Sequence, residues 1–278
     1  MSISWLNGEW QPIEDAKISV LDRGFMFGDG VYEVIPVYNG KPFTLDRHLA
    51  RLDRSLDEIR LKNPMDAAAW EALIHEAIEK SGESMAYLYL QVTRGIAKKR
   101  DHVYPDAEPT VLVMVYDAPI LARKEIRPYS VVTLEDFRWG RGHIKSVSLI
   151  AAGMLKNEAI AKGADDAILI RNGFATESTA SNIFIVKDGV LITPPKSHVL
   201  LHGITRDVVI ELASANGIPL EERDITEAEL AEADEIMISS SGHEIWPVGS
   251  INGKPVGNGE AGVMWGTLDK LFQAFKAE

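Results

Sequence analysis

The chain has 278 residues, with 41 acidic against 29 basic side chains and a formal net charge of −12. That field disfavours nucleic acid and anionic membrane as partners. The absence of cysteine excludes disulfides, thiolate metal sites and cysteine nucleophiles, and fits a cytoplasmic protein.

The length suits one large domain or two of ordinary size. Residues 1–7 show no basic segment followed by an apolar run, so no secretory leader is expected there. No stretch reaches the ~20 apolar residues of a membrane span. Asn7-Gly8 and Asn39-Gly40 predict two-residue hairpins, with a strand over 30–38 between them. Leu45, Leu49, Leu52, Leu56 and Ile59 recur at alternating spacings of four and three, which predicts a helix with one buried stripe. A second helix is expected over 66–81, stopped by Gly82, followed by strands at 86–94 and 110–117. Residues 119–124 break both periodicities and are the expected linker between domains at 1–118 and 125–278.

In the second half a strand near 128–135 precedes a helix at 148–162 that ends at Gly163. Strands follow at 166–171, 182–187 and 190–193, joined by Asn172-Gly173 and Asp188-Gly189 turns. A helix over 205–216 has Gly217 placed for a left-handed cap. Thr226 and Glu229 form a capping-box pattern. A strand at 235–239, a hairpin at Asn252-Gly253 and a C-terminal helix complete the chain, with no internal repeat. The fold class is α+β in two domains.

Lys145 lies in the polar, glycine-containing stretch Arg141-Gly142-His143-Ile144-Lys145-Ser146, between a predicted strand and an alanine-rich helix. By residue type alone it is a solvated surface charge, and Glu177 an exposed turn carboxylate. Taken together, an amine able to form an imine and a carboxylate able to pair with a ring nitrogen match the two ends of one pyridine cofactor. Such a cofactor also needs an anion site. Gly203-Ile204-Thr205-Arg206 opens a predicted helix whose N-terminus favours phosphate, Ser239-Ser240-Ser241 adds hydroxyl and amide donors, and Arg51 adds a cation. Each alone reads as a cap, a polar turn or a surface arginine. No Walker loop competes, and Gly28-Asp29-Gly30 is too short for a dinucleotide fingerprint.

These residues together resemble the fold-type-IV pyridoxal-phosphate enzymes, and within them the D-amino-acid transaminases. The similarity runs through Asp22-Arg23-Gly24, Phe27-Gly28-Asp29-Gly30-Val31-Tyr32-Glu33-Val34, His48-Leu49-Ala50-Arg51-Leu52 and Gln91-Val92-Thr93-Arg94-Gly95. It continues through Ile144-Lys145-Ser146, Thr176-Glu177, Ser181-Asn182 and Gly203-Ile204-Thr205-Arg206-Asp207.

The resemblance implies pyridoxal 5′-phosphate at the domain interface, with Lys145 in the C-terminal domain bearing the imine and Glu177 pairing with the ring nitrogen. It implies that Arg51, Ile204, Thr205 and Ser240 or Ser241 hold the phosphate, and that Arg138 sits near the imine. Tyr32, Arg100 and His102 would trap the substrate α-carboxylate, the last two from a loop contributed across a homodimer interface. Arginine suits that clamp. The implied substrates are D-amino acids and 2-oxo acids, exchanged in a ping-pong cycle.

Aminodeoxychorismate lyase and branched-chain or (R)-amine transaminase are the alternatives on the same fold. A cofactor-free hydrolase using Ser240 and His243 lacks a Gly-x-Ser-x-Gly elbow. His143, His202 and the Ser241-Gly242-His243 turn depart from the family pattern.

Overall fold

The computed structural model describes residues 3–118 and 126–277, so the expected linker at 119–124 lies outside the described residues. The chain divides into two compact units, Met1–Ala122 with Ile144–Leu149, and Arg123–His143 with Ile150–Glu278. Both combine a sheet with helices, as the α+β expectation requires.

The first unit holds strands β1 (Ile3–Leu6), β2 (Glu9–Pro12), β3 (Gly30–Tyr38), β4 (Lys41–Pro42), β5 (Met85–Thr93) and β6 (Thr110–Asp117), and helices α1 (Arg23–Phe27), α2 (Leu45–Glu58) and α3 (Ala67–Ser81). Its six strands run antiparallel in the order β2-β1-β6-β5-β3-β4. The two-residue period of a strand divides its side chains between two faces. Val31, Ile35 and Val37 of β3 and Ala86, Leu88, Leu90 and Val92 of β5 join the core with Leu52, Leu56, Trp70 and Ile74 of the two long helices. Tyr32, Tyr89 and Gln91 belong to the opposite, half-buried face.

Local chemistry sets the ends of these elements. Asn7-Gly8 and Asn39-Gly40 both take positive φ at each turn residue, the type I′ geometry that matches the twist of the strands they join. The Asp66 side chain accepts from the Ala69 N–H to cap α3, and Gly82 closes that helix at φ 69°. Helix α1 is too short to show periodicity in the sequence. Its signal is the Asp22 cap, which accepts from the Gly24 N–H at 2.7 Å.

The second unit comprises β7 (Tyr129–Glu135), α4 (Ile150–Ala161), β8 (Asp166–Arg171), β9 (Phe174–Ser178), β10 (Asn182–Lys187), β11 (Val190–Thr193), α5 (Ile204–Ala215), β12 (Leu220–Glu222), β13 (Ile225–Thr226), α6 (Glu227–Ala231), β14 (Glu235–Ser240), β15 (Glu244–Ile251), β16 (Lys254–Pro255) and α7 (Val263–Ala277). Nine strands follow the order β12-β11-β10-β14-β15-β7-β8-β9-β13, and β16 pairs with β15. The sheet is mixed, with parallel pairs at β11/β12, β15/β7 and β7/β8. Strand β10 is buried along Ile183-Phe184-Ile185-Val186, a continuous apolar run of the kind a sheet covered on both faces requires. The Thr226–Glu229 capping box forms as predicted and opens the five-residue α6.

Two features depart from the sequence reading. Residues 174–178, with three polar side chains in succession, form strand β9 instead of a turn. Lys145 follows the linker in sequence and was therefore expected in the C-terminal domain; its segment instead groups with the first unit. Ile144–Leu149 runs along the start of β3, where the Tyr32 N–H donates to the Lys145 carbonyl at 2.9 Å and the Val147 N–H to the Gly30 carbonyl at 3.0 Å. Helix α4 accordingly begins only at Ile150, after the expected start.

Candidate active site

In the first unit, backbone pairing fixes Lys145. Val31 and Ser146 form an antiparallel bridge, which sets Lys145 beside Tyr32. The Lys145 N–H also donates to the Ser55 hydroxyl at 3.4 Å, and its half-buried side chain places Nζ 4.2 Å from the centroid of the Tyr32 ring. A cation or amine over a phenol face is held there by the ring quadrupole. The Tyr32 ring stacks on Tyr89 at 5.7 Å.

On the core side of β3, Glu33 is fully buried and accepts two bonds from Arg51, Nε at 2.8 Å and Nη2 at 2.7 Å. His48 Nδ1 lies 2.7 Å from the same carboxylate. Burial alone would raise the Glu33 carboxyl, but the Arg51 guanidinium and His48 hold it at about 2. Burial lowers His48 in turn, against the pull of Glu33. Arg51, expected from sequence as a phosphate cation, thus has its orientation set by a buried, bidentate carboxylate.

In the second unit, Glu177 on β9 is 4% exposed, which a turn carboxylate would not be. Its Oε1 accepts from Arg138 Nη1 at 2.6 Å, and its Oε2 from the Leu201 N–H at 3.0 Å and Asn182 Nδ2 at 3.3 Å. Arg138 is fixed from behind, with Nε and Nη2 on the two oxygens of Asp136 at 2.9 and 3.0 Å. Arg171 and Thr176 hold Asp136 from the other side. Burial pushes the Glu177 carboxyl up and Arg138 opposes it. Burial would also weaken Arg138, but Asp136 and Glu177 outweigh it and bind its proton more firmly.

Asn182 joins this carboxylate to a helix end. Its Nδ2 also donates to the Leu201 carbonyl at 2.8 Å, and its backbone pairs with Ser239 across β10 and β14. A Cβ on Gly203 would lie 2.0 Å from Asn182 Oδ1. Gly203 is the N-cap of α5, where no side chain caps the helix. The N–H groups of the first turn have no intrahelical acceptors, and Ile204 and Thr205 supply them. The hydroxyls of Ser239 and Ser178 are buried without a hydrogen-bond partner among the described residues. Glu177, the α5 N-terminus and Ser239 therefore converge on one asparagine.

Ser240 Oγ lies 3.4 Å from His243 Nδ1, so these two residues do meet. The far nitrogen of His243 faces the Tyr129 hydroxyl at 3.0 Å, where a hydrolytic triad would carry a carboxylate. Burial, then Lys156, lowers the His243 pKa. Ser241 is half-buried in the following turn. His143 and His202 pack near each other, 6.1 Å between ring centroids, beside the 198–202 backbone.

Arg100 and His102 are exposed in the first unit, on the loop between β5 and β6. Both lie against Phe27 of α1, Arg100 at 4.7 Å from the ring centroid and His102 at 5.6 Å ring to ring. Arg23 donates to the Asp101 carbonyl, and Arg94 stacks on Tyr104 at 3.6 Å. Arg23 and Arg94 share the Asp29 carboxylate at 2.7 and 2.9 Å. The loop is thus tied to its own unit through two arginines.

The sequence reading assigned no role to Asp136, Asn182, Leu201, Glu33 or His48. Asn182, Glu33 and His48 stand within the quoted motifs, so their positions were visible though not their work. Asp136 and the Leu201 amide carry no local sequence signal, since one acts through an arginine and the other through its backbone.

Comparison with known proteins places this geometry among relatives. A family model for amino-transferase class IV matches residues 30–251. D-alanine aminotransferase of Listeria monocytogenes serotype 4b is 42% identical over 262 residues, covering 93% of this chain and 91% of that protein. D-alanine aminotransferase of Bacillus licheniformis is 38% identical over 267 residues, 96% of this chain and 94% of that one. Among solved structures, the T.th. branched-chain amino acid aminotransferase with pyridoxamine 5′-phosphate superposes with a TM-score of 0.89 at 29% identity, covering 98% of this chain and 92% of that chain.

Proposed function

This chain belongs to the class IV amino-transferase family, and on that premise we propose that it moves amino groups between D-amino acids and 2-oxo acids with pyridoxal 5′-phosphate as cofactor. The observation that carries the reading is the buried Glu177, both of whose oxygens are held by donors, joined through Asn182 to an uncapped helix N-terminus. That donor set fits the cofactor, with a fixed carboxylate for a ring nitrogen and unpartnered Ser239 hydroxyl and helix amides for a phosphate. The pyridoxamine phosphate named with the branched-chain relative supports the same choice.

Pyridoxal 5′-phosphate, when bound, supplies an aldehyde for amine exchange and a ring that accepts the electrons left by a departing α-proton. Glu177 keeps a proton at the pyridine nitrogen, and Arg138 and the Leu201 amide keep that carboxylate in place. Thr205, the Ile204 amide, Ser239 with Ser240 or Ser241, and Arg51 take the phosphate. Lys145 Nζ would hold the cofactor in the resting enzyme and, freed as an amine, would take the proton from the substrate α-carbon as base and deliver it as acid to the cofactor carbon that had borne the aldehyde, so that the amino group stays on the cofactor and a 2-oxo acid leaves after hydrolysis. Tyr32, Arg100 and His102 bind the substrate α-carboxylate.

A homodimer, with the Arg100 loop serving the neighbouring subunit, accompanies this reading. It is supported by the exposed Ile18, Val20, Phe25, Ile96, Val103 and Tyr104 of the first unit. Steady-state kinetics with D-alanine and 2-oxoglutarate test the proposal. Parallel double-reciprocal lines are expected, whereas turnover of L-amino acids alone would favour the second reading, a branched-chain transaminase like that structural relative.

A further inference from the structure

One row of side chains crosses the first unit's sheet in front of the Lys145 amine. Lys145 stands beside Tyr32 through the Tyr32 N–H to Lys145 carbonyl bond, and Tyr32 pairs directly with Gln91 in the β3–β5 register. Gln91 pairs in turn with Leu112 of β6. Directly opposed residues of neighbouring antiparallel strands share a face, with Cβ atoms about 5 Å apart. Lys145 Nζ rests 4.2 Å from the Tyr32 ring centroid, so the amine lies over the residue whose other strand neighbour is Gln91.

The Gln91 amide is oriented by its neighbour two residues back. The Tyr89 hydroxyl donates to Gln91 Oε1 at 2.6 Å, while Tyr89 is itself held by stacking on Tyr32. Burial, then Tyr32 and Tyr116, pushes the Tyr89 phenol up to about 12, so it stays a donor across the working pH range. With Oε1 occupied, Nε2 is the free end of the amide, and it has no acceptor among the described residues. A neutral, half-buried donor on an aromatic wall, beside the tyrosine whose ring lies under a reactive amine, can offer its bond to a ligand.

We infer that Gln91, oriented by Tyr89, is a substrate-binding residue whose Nε2 donates to the α-carboxylate of the amino acid beside Tyr32. This rests on the reading of Lys145 as the imine-forming amine. The α-carboxylate lies one bond from the amine-bearing carbon, so it is the substrate acceptor held closest to the Tyr32–Gln91 pair. A neutral amide adds a bond without adding charge to a site that must also accept a neutral keto group on the product.

The test compares Gln91→Leu, Gln91→Glu and the unsubstituted holoenzyme. Gln91→Leu removes the donor, and Gln91→Glu keeps an acceptor for Tyr89 but turns a second acceptor toward the carboxylate. Each protein is first checked for the visible absorption of lysine-bound cofactor, then for the rate at which hydroxylamine, an amine lacking carboxylate, consumes that absorption. We expect unchanged absorption and hydroxylamine rates, with KM for D-alanine and for 2-oxoglutarate raised about 10- to 100-fold in Gln91→Leu and further in Gln91→Glu. A KM within twofold of the unsubstituted enzyme overturns the inference, as does a rise confined to substrates with a second carboxylate. Equal slowing of hydroxylamine and D-alanine also overturns it, since Gln91 would then act only through the fold. Absence of the band from the unsubstituted protein is a different failure, that of the Lys145 reading itself.

Discussion

Glu33 is buried between Arg51 and His48, and its carboxyl is held at about 2 against an ordinary 4.5. A depressed folded value means that the folded chain stays ionised where the unfolded chain takes up a proton. Its stabilisation is therefore complete above pH 4.5 and is lost as pH falls toward 2, on the order of 3 kcal/mol in total. Urea unfolding between pH 7 and 3 should show a gap between the unsubstituted protein and Glu33→Gln that narrows below pH 4.5; a pH-independent gap would mean that the ion pair does not set the acid limb. Glu177 follows a different rule, because its carboxylate is already paired with Arg138 and, in the proposed function, also faces a protonated ring nitrogen. Glu177→Gln keeps the size and the Leu201 contact but removes the charge, and kcat should fall about 100- to 1000-fold with cofactor still bound. Retained kcat would show that the ring nitrogen is not its partner. Lys145, Glu177, Thr205 and Arg51 could be proposed from the sequence because motif and residue type coincide there. Asp136 and the Leu201 amide were not, since they act only through another group that the fold brings to them.

At the scale of elements, the candidate site depends on how β9, β10 and the α5 N-terminus are joined. Gly203 has an ordinary φ of −70°, so it is not there for backbone freedom. It is there because a side chain would collide with Asn182 Oδ1 at 2.0 Å. In Gly203→Ala the asparagine must move, giving up Glu177 or the Leu201 carbonyl, and helix α5 loses its position against β10. We expect weaker cofactor retention, measured as a raised equilibrium dissociation constant by fluorescence titration, with near-native far-UV circular dichroism. Unchanged affinity would contradict the role given to Asn182. The long periodic helices α2 and α3 and the Asn-Gly turns were readable because their signals are local. Strand β9 was not, because Thr176, Glu177 and Ser178 are polar residues buried by partners distant in sequence, and alternation gives no hint of that. The edge pairing of Ile144–Leu149 with β3 was equally hidden, because it joins Val31 to Ser146, far apart in the chain.

For the molecule as a whole, the two units each carry part of the proposed chemistry, the amine in one and the ring-nitrogen carboxylate in the other. Among the described residues no helix is long and apolar enough to cross a membrane, and no group of His, Asp or Glu is placed to hold a metal ion. Sedimentation of the holoenzyme at twice the 30.7 kDa chain mass would support the homodimer, and a monomer at micromolar concentration would contradict it. The α+β class and the family were legible from motifs spread over nearly the whole chain, whereas the grouping of Lys145 with the first unit required the fold. In the proposed function, Lys145 bears the cofactor and D-amino acids exchange with it. The most direct measurement is the visible spectrum of the protein incubated with pyridoxal 5′-phosphate, freed of excess and titrated with D- and then L-alanine, beside Lys145→Ala treated identically. A visible band is expected in the unsubstituted protein, one that D-alanine removes and L-alanine leaves, with no such band in Lys145→Ala. A band that survives in Lys145→Ala, or one that only L-alanine removes, would contradict it.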